Sequence, residues 1–204
     1  EITTLKQDFD LVICTGVLHH LENPEVGLAA LKNVLRPDGA MHLMLYGQHG
    51  RTGVYMLQAL FQTMQVDPLK VTHSDIHKIR DLVENIPASH PFHGVRHLNP
   101  DWQDDVGLVD LLLHLQDRAY SLDEVDKFLT SADLKLQMLL FAGRTDPMFT
   151  PLENISPATF KKLPDIQQRS AVELYSASVK KHTFIACHAS KYRSRYEIDL
   201  GLKA

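Results

Sequence analysis

Cysteine is nearly absent from this chain: Cys14 and Cys187 are the only two in 204 residues. Both fall in apolar, strand-like runs. That excludes a disulfide framework and fits buried thiols in a reducing compartment. No apolar run approaches the roughly 20 residues that span a bilayer, so no membrane partner is expected. The first ten residues, EITTLKQDFD, lack the basic start, apolar core and small-residue cleavage site of a signal peptide, and they lack an initiator Met. Cytoplasm is the expected location. Charge of one sign is not in large excess either. The 21 Lys and Arg against 25 Asp and Glu leave a net charge of −4, which argues against nucleic acid as a partner. Also missing are any G-x-G-x-G turn, any H-E-x-x-H helix and any closely spaced Cys pair. There is no internal repeat and no low-complexity segment.

What is there is ordinary in bulk and specific in one place. The hydrophobic content of 44% and charged content of 23% are those of a globular protein, and the length suits one domain with a helical insertion. The specific place is Phe9 to Leu45, FDLVICTGVLHHLENPEVGLAALKNVLRPDGAMHLML. Leu11 to Cys14 form a short continuous apolar run, which predicts a strand buried on both faces in the middle of a parallel sheet. Asn23 is a candidate N-cap, Pro24 suits the first helical position, and Glu25 favours the positive end of the helix dipole. Pro37 and Asp38-Gly39 stop that helix and turn the chain. Ala40 to Tyr46 then reads as a second strand. Strand, crossover helix and strand of this length demand parallel pairing with a right-handed connection.

Further along, helices are expected over Val54 to Met64 and over Asp75 to Glu84 with Ser74 as cap. Another apolar segment, Val106 to Leu115, is a candidate helix, and one more helix is expected around Ile166 to Ser176. Ser121 and Glu124 form a capping box before VDKFLTSA. Leu134 to Phe141 and His182 to Cys187 read as strands. Residues 87–102 are too irregular for a confident element.

The DLVICTGVLHHL segment, the following Leu35-Arg36-Pro37-Asp38-Gly39 and the strand ending in Tyr46 together resemble class I S-adenosylmethionine-dependent methyltransferases. In that family the fourth strand often reads FDLV, a turn like GVLHHL follows, and L-x-P-G-G precedes the fifth strand. Asp38 departs from the L-x-P-G-G pattern. The strong likeness covers about residues 8 to 46. It implies an α/β, Rossmann-like methyltransferase sheet, C-terminal half: parallel strands plus an antiparallel edge hairpin, with a mostly helical insertion. The expected division is a core of residues 1–46 and 121–190, a helical insertion or lid at 47–120, and a polar C-terminal arm at 191–204. The family's first three strands and glycine-rich cofactor turn have no counterpart, and the loop GQHGRTG at 47–53 follows the wrong strand. The expectation is therefore that this chain is the C-terminal part of the enzyme, with the first wall of its cofactor cleft upstream of Glu1.

The implied activity is methyl transfer from S-adenosylmethionine to an unidentified acceptor, small molecule or protein. That cofactor need not bind this chain alone. In parallel α/β sheets ligands bind at the carboxyl ends of the strands. By resemblance Thr15, Gly16, Val17 and His20 are candidate cofactor contacts, and His19, Tyr46, Gln116 and Arg118 candidate substrate contacts. Each has a plainer alternative: the histidines can be structural, Tyr46 can be a half-buried aromatic, and Asp117 and Arg118 can form a local ion pair. In-line methyl displacement asks mainly for alignment and exclusion of water, so no catalytic triad is required. A second reading is a non-catalytic methyltransferase-like module that binds a partner or another copy through an uncovered sheet edge. A third is a metal-dependent hydrolase. His73 and His77 would share one helix face and His90, His93 and His97 follow, but the pattern of ligands is incomplete and no metal is expected.

Overall fold

The computed structural model describes residues 2–140, 152 and 154–193. Four strands among them form one mixed sheet: β1 (Phe9–Thr15), β2 (Leu35–Tyr46), β3 (Leu134–Leu139) and β4 (Lys181–His188), in the spatial order β1-β2-β4-β3. β1 and β2 are parallel, with Val12 opposite Met41 and Thr15 opposite Met44. β4 runs antiparallel to both neighbours, pairing Phe184 with Leu43 of β2 and Ala186 with Leu136 of β3. The parallel pair and the antiparallel edge pair are thus as expected from the sequence.

The crossover between β1 and β2 is α1 (Pro24–Asn33). Pro24 occupies its first turn, where a missing N–H costs nothing. Leu28 and Leu31 point from α1 onto the sheet, where Met41, Leu43 and Leu45 alternate inward along β2 and are fully buried. α6 (Leu122–Ser131) closes the same core with Val125, Phe128 and Leu129. Its N-terminus carries both halves of the capping box expected at Ser121 and Glu124.

The segment between β2 and α6 builds a second apolar cluster. Its helices are α2 (Thr52–Thr63), α3 (His73–Glu84), α4 (Phe92–Val95) and α5 (Asp105–Leu113). Leu57, Phe61, Val83, Phe92, Trp102 and Leu108 meet at its centre. This segment leaves the sheet and returns to it at one seam. Gly47 pairs with Tyr120, Tyr120 N–H donates to the Tyr46 carbonyl at 2.8 Å, and Gln48 N–H donates to the Tyr120 carbonyl at 3.0 Å. Gly47 and Gly50 donate to the carbonyls of Lys180 and Val179. A Cβ at Gly47 would collide with the Val179 carbonyl oxygen, so this close backbone crossing demands glycine.

After β3 come α7 (Pro157–Phe160) and α8 (Asp165–Ser176), the latter packed beside α6. A buried pair fixes α8. Glu173 Oε2 accepts from Leu122 N–H at 2.8 Å, and its Oε1 lies 3.1 Å from His182 Nε2. That histidine nitrogen in turn lies 2.9 Å from the Tyr120 carbonyl.

Four expectations need correction. β1 is not buried on both faces. Val12 faces the core, but Leu11 and Ile13 are 53% and 63% exposed, because among the described residues β1 is the edge of the sheet and only one face is covered. β2 begins at Leu35 and not at Ala40: Phe9 pairs with Leu35 and Leu11 with Ala40, so the Arg-Pro-Asp-Gly turn bulges out within the strand pairing. α3 is capped by Thr72 and not by Ser74. Thr72 Oγ1 accepts from Asp75 N–H, and the Asp75 carboxylate reaches back to Thr72 N–H. Residues 87–102 hold α4 and two 3₁₀ turns, organised by the burial of Phe92 and Trp102. Phe141, placed in the third strand by sequence, and residues 194–204 of the expected arm lie outside the described residues.

Candidate active site

β1 ends in a turn that only glycine makes easily. Gly16 has φ of 74°, in the left-handed region, and sends the chain into a 3₁₀ turn over Leu18–His20. Leu18 drops into the core at 2% exposure. Thr15 and Val17 stay exposed at the carboxyl end of the strand, and Gly16 is half-buried between them. His19 turns inward and is 1% exposed. Its imidazole lies against Tyr46, at the end of β2, with ring centroids 4.0 Å apart. Neither ring nitrogen of His19 has a hydrogen-bond partner. Burial pushes its pKa down to about 4; the neighbouring His20 and Arg51 add to the shift, and Asp117 opposes it. His19 is therefore a neutral imidazole near pH 7.

On the other face of Tyr46 sits Arg51, its guanidinium 3.8 Å from the ring centroid. A 3₁₀ turn, His49–Arg51, delivers it there directly after the seam glycines. Arg51 is 4% exposed and is held by a closed network. Its Nη2 donates to Asp117 Oδ2 at 3.1 Å and its Nε to Tyr55 Oη at 3.3 Å. Asp117 also accepts from Tyr55 Oη at 3.2 Å and from Gln58 Nε2 at 3.2 Å. Three donors thus satisfy one buried carboxylate, whose side chain is 2% exposed. Burial raises the Tyr55 pKa, so it is a neutral hydrogen-bonded phenol. The result is a rigid stack of His19, Tyr46 and Arg51.

The segment from His114 to Arg118 covers the turn from above. Arg118 N–H donates to the His19 carbonyl at 3.1 Å, and the Gln116 carbonyl lies 2.9 Å from His20 Nδ1. His20 is half-buried between the rings of His19 and His114, each with its centroid 4.3 Å away. A cleft of about 550 Å³ opens beside this segment, lined by Gln48, Thr52, Tyr55, Met56, Asp117 and Glu124 among others.

The residues singled out from sequence therefore fall in two groups. Thr15, Gly16, Val17, His19, His20, Tyr46 and Gln116 converge at the carboxyl ends of β1 and β2. Arg118 borders the cleft, but its guanidinium is engaged by Glu25 at 3.6 Å, Glu124 at 4.0 Å and the Tyr120 ring at 4.5 Å. Asp117 does not pair with its sequence neighbour Arg118: the buried Arg51 takes it, because only there are both charges enclosed and shared with Tyr55 and Gln58. Arg51 and Gln58 carry no mark in the sequence as site residues, and Tyr55 reads there only as a core position of its helix. The one available signal was an arginine inside a glycine loop immediately after a strand end. His73 and His77 do share a face of α3, Nε2 to Nε2 3.0 Å, with Asp105 3.2 Å from His73 Nδ1. Among the described residues no group of three or more His, Cys, Asp or Glu could hold a metal. No helix there is long and apolar enough to cross a membrane. Both cysteines are free; Cys187 is buried and Cys14 half-buried.

Comparison with known proteins agrees with this geometry. Residues 2–43 match the family model of a methyltransferase domain. An uncharacterized protein of Synechococcus sp., syc1184_c, is 28% identical over 138 residues, covering 66% of this chain and 33% of its own length. Among solved structures, PKMT2 from Rickettsia typhi superposes over 93% of this chain with a TM-score of 0.63 and 13% identity. PKMT2 in complex with AdoHcy gives a TM-score of 0.64 and 14% identity. At such identity the likeness speaks to the fold. This chain spans 38% of those solved chains and about a third of the Synechococcus relative. Residues 2–43 are thus similar to a methyltransferase domain, and the sheet shares the Rossmann-like fold of those solved structures.

Proposed function

We propose that this chain serves S-adenosylmethionine-dependent methyl transfer, forming the acceptor-side wall of the site while strands outside this chain complete the cofactor cleft. The observation that carries this reading is the convergence of Gly16, His19, His20 and Tyr46 at the carboxyl ends of β1 and β2, within and beside the segment that matches a methyltransferase domain. The residues present fit the cofactor. Gly16, bare of a Cβ, and the exposed Thr15 and Val17 offer backbone and side-chain groups on an open strand end. His20 follows on the same turn. Bound there, S-adenosylmethionine would supply an electrophilic methyl group.

In this reading His19, Tyr46, Gln116 and Arg118 frame the acceptor. His19 has two ring nitrogens that are buried and unpartnered, a costly state that a ligand group could relieve. The Arg51–Asp117 network holds Tyr46 and Tyr55 in place, so the acceptor meets a preorganised surface. Segment 114–120, tied to the turn through Gln116 and Arg118, would exclude water. The acceptor is a small molecule or a protein side chain, without nucleic acid or membrane, in the cytoplasm.

Calorimetric titration with S-adenosylhomocysteine tests the proposal. Full-length natural protein is expected to bind it, and the 204-residue chain alone to bind at least roughly tenfold more weakly, since half of the backbone cradle would be missing. No binding by the full-length protein would sink the methyltransferase reading. The exposed Leu11 and Ile13 on β1 favour one competing reading, a non-catalytic module that pairs through this edge; it predicts association without cofactor binding.

A further inference from the structure

The backbone of one residue, Gln116, sets the protonation pattern of two stacked histidines. The Gln116 N–H donates to His114 Nδ1 at 3.1 Å, while the Gln116 carbonyl lies 2.9 Å from His20 Nδ1. The two rings stack at 4.3 Å and 32°. A carbonyl can only accept, so His20 carries its hydrogen on Nδ1 and leaves Nε2 as a bare lone pair. A peptide N–H can only donate, so His114 keeps Nδ1 bare and carries its hydrogen on Nε2.

The three histidines of the site consequently differ in what a proton would do to them. His19 is buried, and burial opposes its charged form. Protonation of His114 at Nδ1 would forfeit the bond from Gln116. His20 alone can take a proton, on Nε2, and keep its existing bond, since Nδ1–H donates in both states. The groups facing it are His19 and Tyr46 from the strand ends and His114 from the covering segment. The nearby Arg118 guanidinium is offset by Glu25 and Glu124.

We propose that His20 Nε2 is the general base of this site, and that the methyl acceptor is therefore a hydroxyl or an amine that must lose a proton as it is methylated. This rests on the methyl-transfer reading. The acceptor's X–H bond breaks, its proton goes to His20 Nε2, and its lone pair bonds the methyl carbon. The carbon–sulfur electron pair stays on sulfur as a neutral thioether, and His20 returns the proton to water. His20 would then be a catalytic residue, with the Gln116 carbonyl as the group that orients it.

The test uses full-length natural protein carrying ring-¹⁵N-labelled histidine, with S-adenosylhomocysteine present. Long-range ¹H–¹⁵N spectra near pH 8 are expected to show His20 protonated on Nδ1 and His114 on Nε2. Phenol is expected to shift the His20 Nε2 resonance toward its protonated position, and anisole, which lacks the acidic hydrogen, to leave it in place. His20→Asn, whose amide can still donate to Gln116, identifies the His20 resonances by their disappearance. Finding His20 protonated on Nε2, or an equal response to phenol and anisole, would overturn the proposal. Failure of S-adenosylhomocysteine to bind in calorimetry would instead overturn the methyl-transfer reading, leaving the tautomer result to stand on its own spectra.

Discussion

At the scale of single residues the site is defined by one unpartnered histidine and one over-partnered aspartate. An unfolded histidine takes a proton near pH 6.5, whereas folded His19 takes it only near pH 4. Between those values the unfolded chain binds more protons, so stability falls as pH drops through this window and levels off below it. The loss should reach about 2–3 kcal/mol and should disappear in His19→Phe, as thermal melts across pH 4 to 7 would show. Asp117 matters as the partner of a buried charge. Asp117→Ala leaves the Arg51 charge buried and uncompensated, and is expected to cost about 3–5 kcal/mol in urea denaturation. Replacing both partners by apolar residues should cost markedly less. His19, His20 and Tyr46 could be read from the sequence because a strand-end position announces itself locally. Arg51 could not, since its meaning comes from Asp117, 66 positions away, and from the face of Tyr46.

At the scale of elements, local chemistry and tertiary context divide the credit. The capping box at Ser121 and Glu124 forms as sequence rules require, and Ser121→Ala is expected to lower stability by about 1 kcal/mol, measurable as a shift in the urea midpoint. At α3 the same rules fit two residues, and Thr72 prevails because Asp75 stands three positions after it and completes the reciprocal pair. β1 shows the opposite limit. Its apolar run speaks truly of a strand, yet the number of faces buried is set by neighbours that the run itself does not encode. Residues 87–102 resisted reading because their order comes from two buried aromatics, Phe92 and Trp102, in T-shaped contact at 6.4 Å, and not from any periodicity.

At the scale of the whole molecule, the exposed Leu11 and Ile13 set an expectation for behaviour in solution. The 204-residue chain studied alone should self-associate at micromolar concentrations. Ile13→Lys should shift it toward monomer in sedimentation velocity, because a charge on a strand edge discourages pairing. The seam where Gly47 meets Tyr120 has a different kind of consequence. Two chain positions 73 residues apart lie side by side on one hydrogen-bonded ladder, so the excursion strung between them leaves and rejoins the sheet at one place. Closing a longer or shorter excursion there changes the loop entropy only logarithmically. Arg51, Tyr55, Gln58 and Asp117 all travel with that excursion, while Tyr46 stays behind in the sheet. The segment is thus built like an exchangeable cassette: swapping it for another of different length would give the same strand ends a new ceiling.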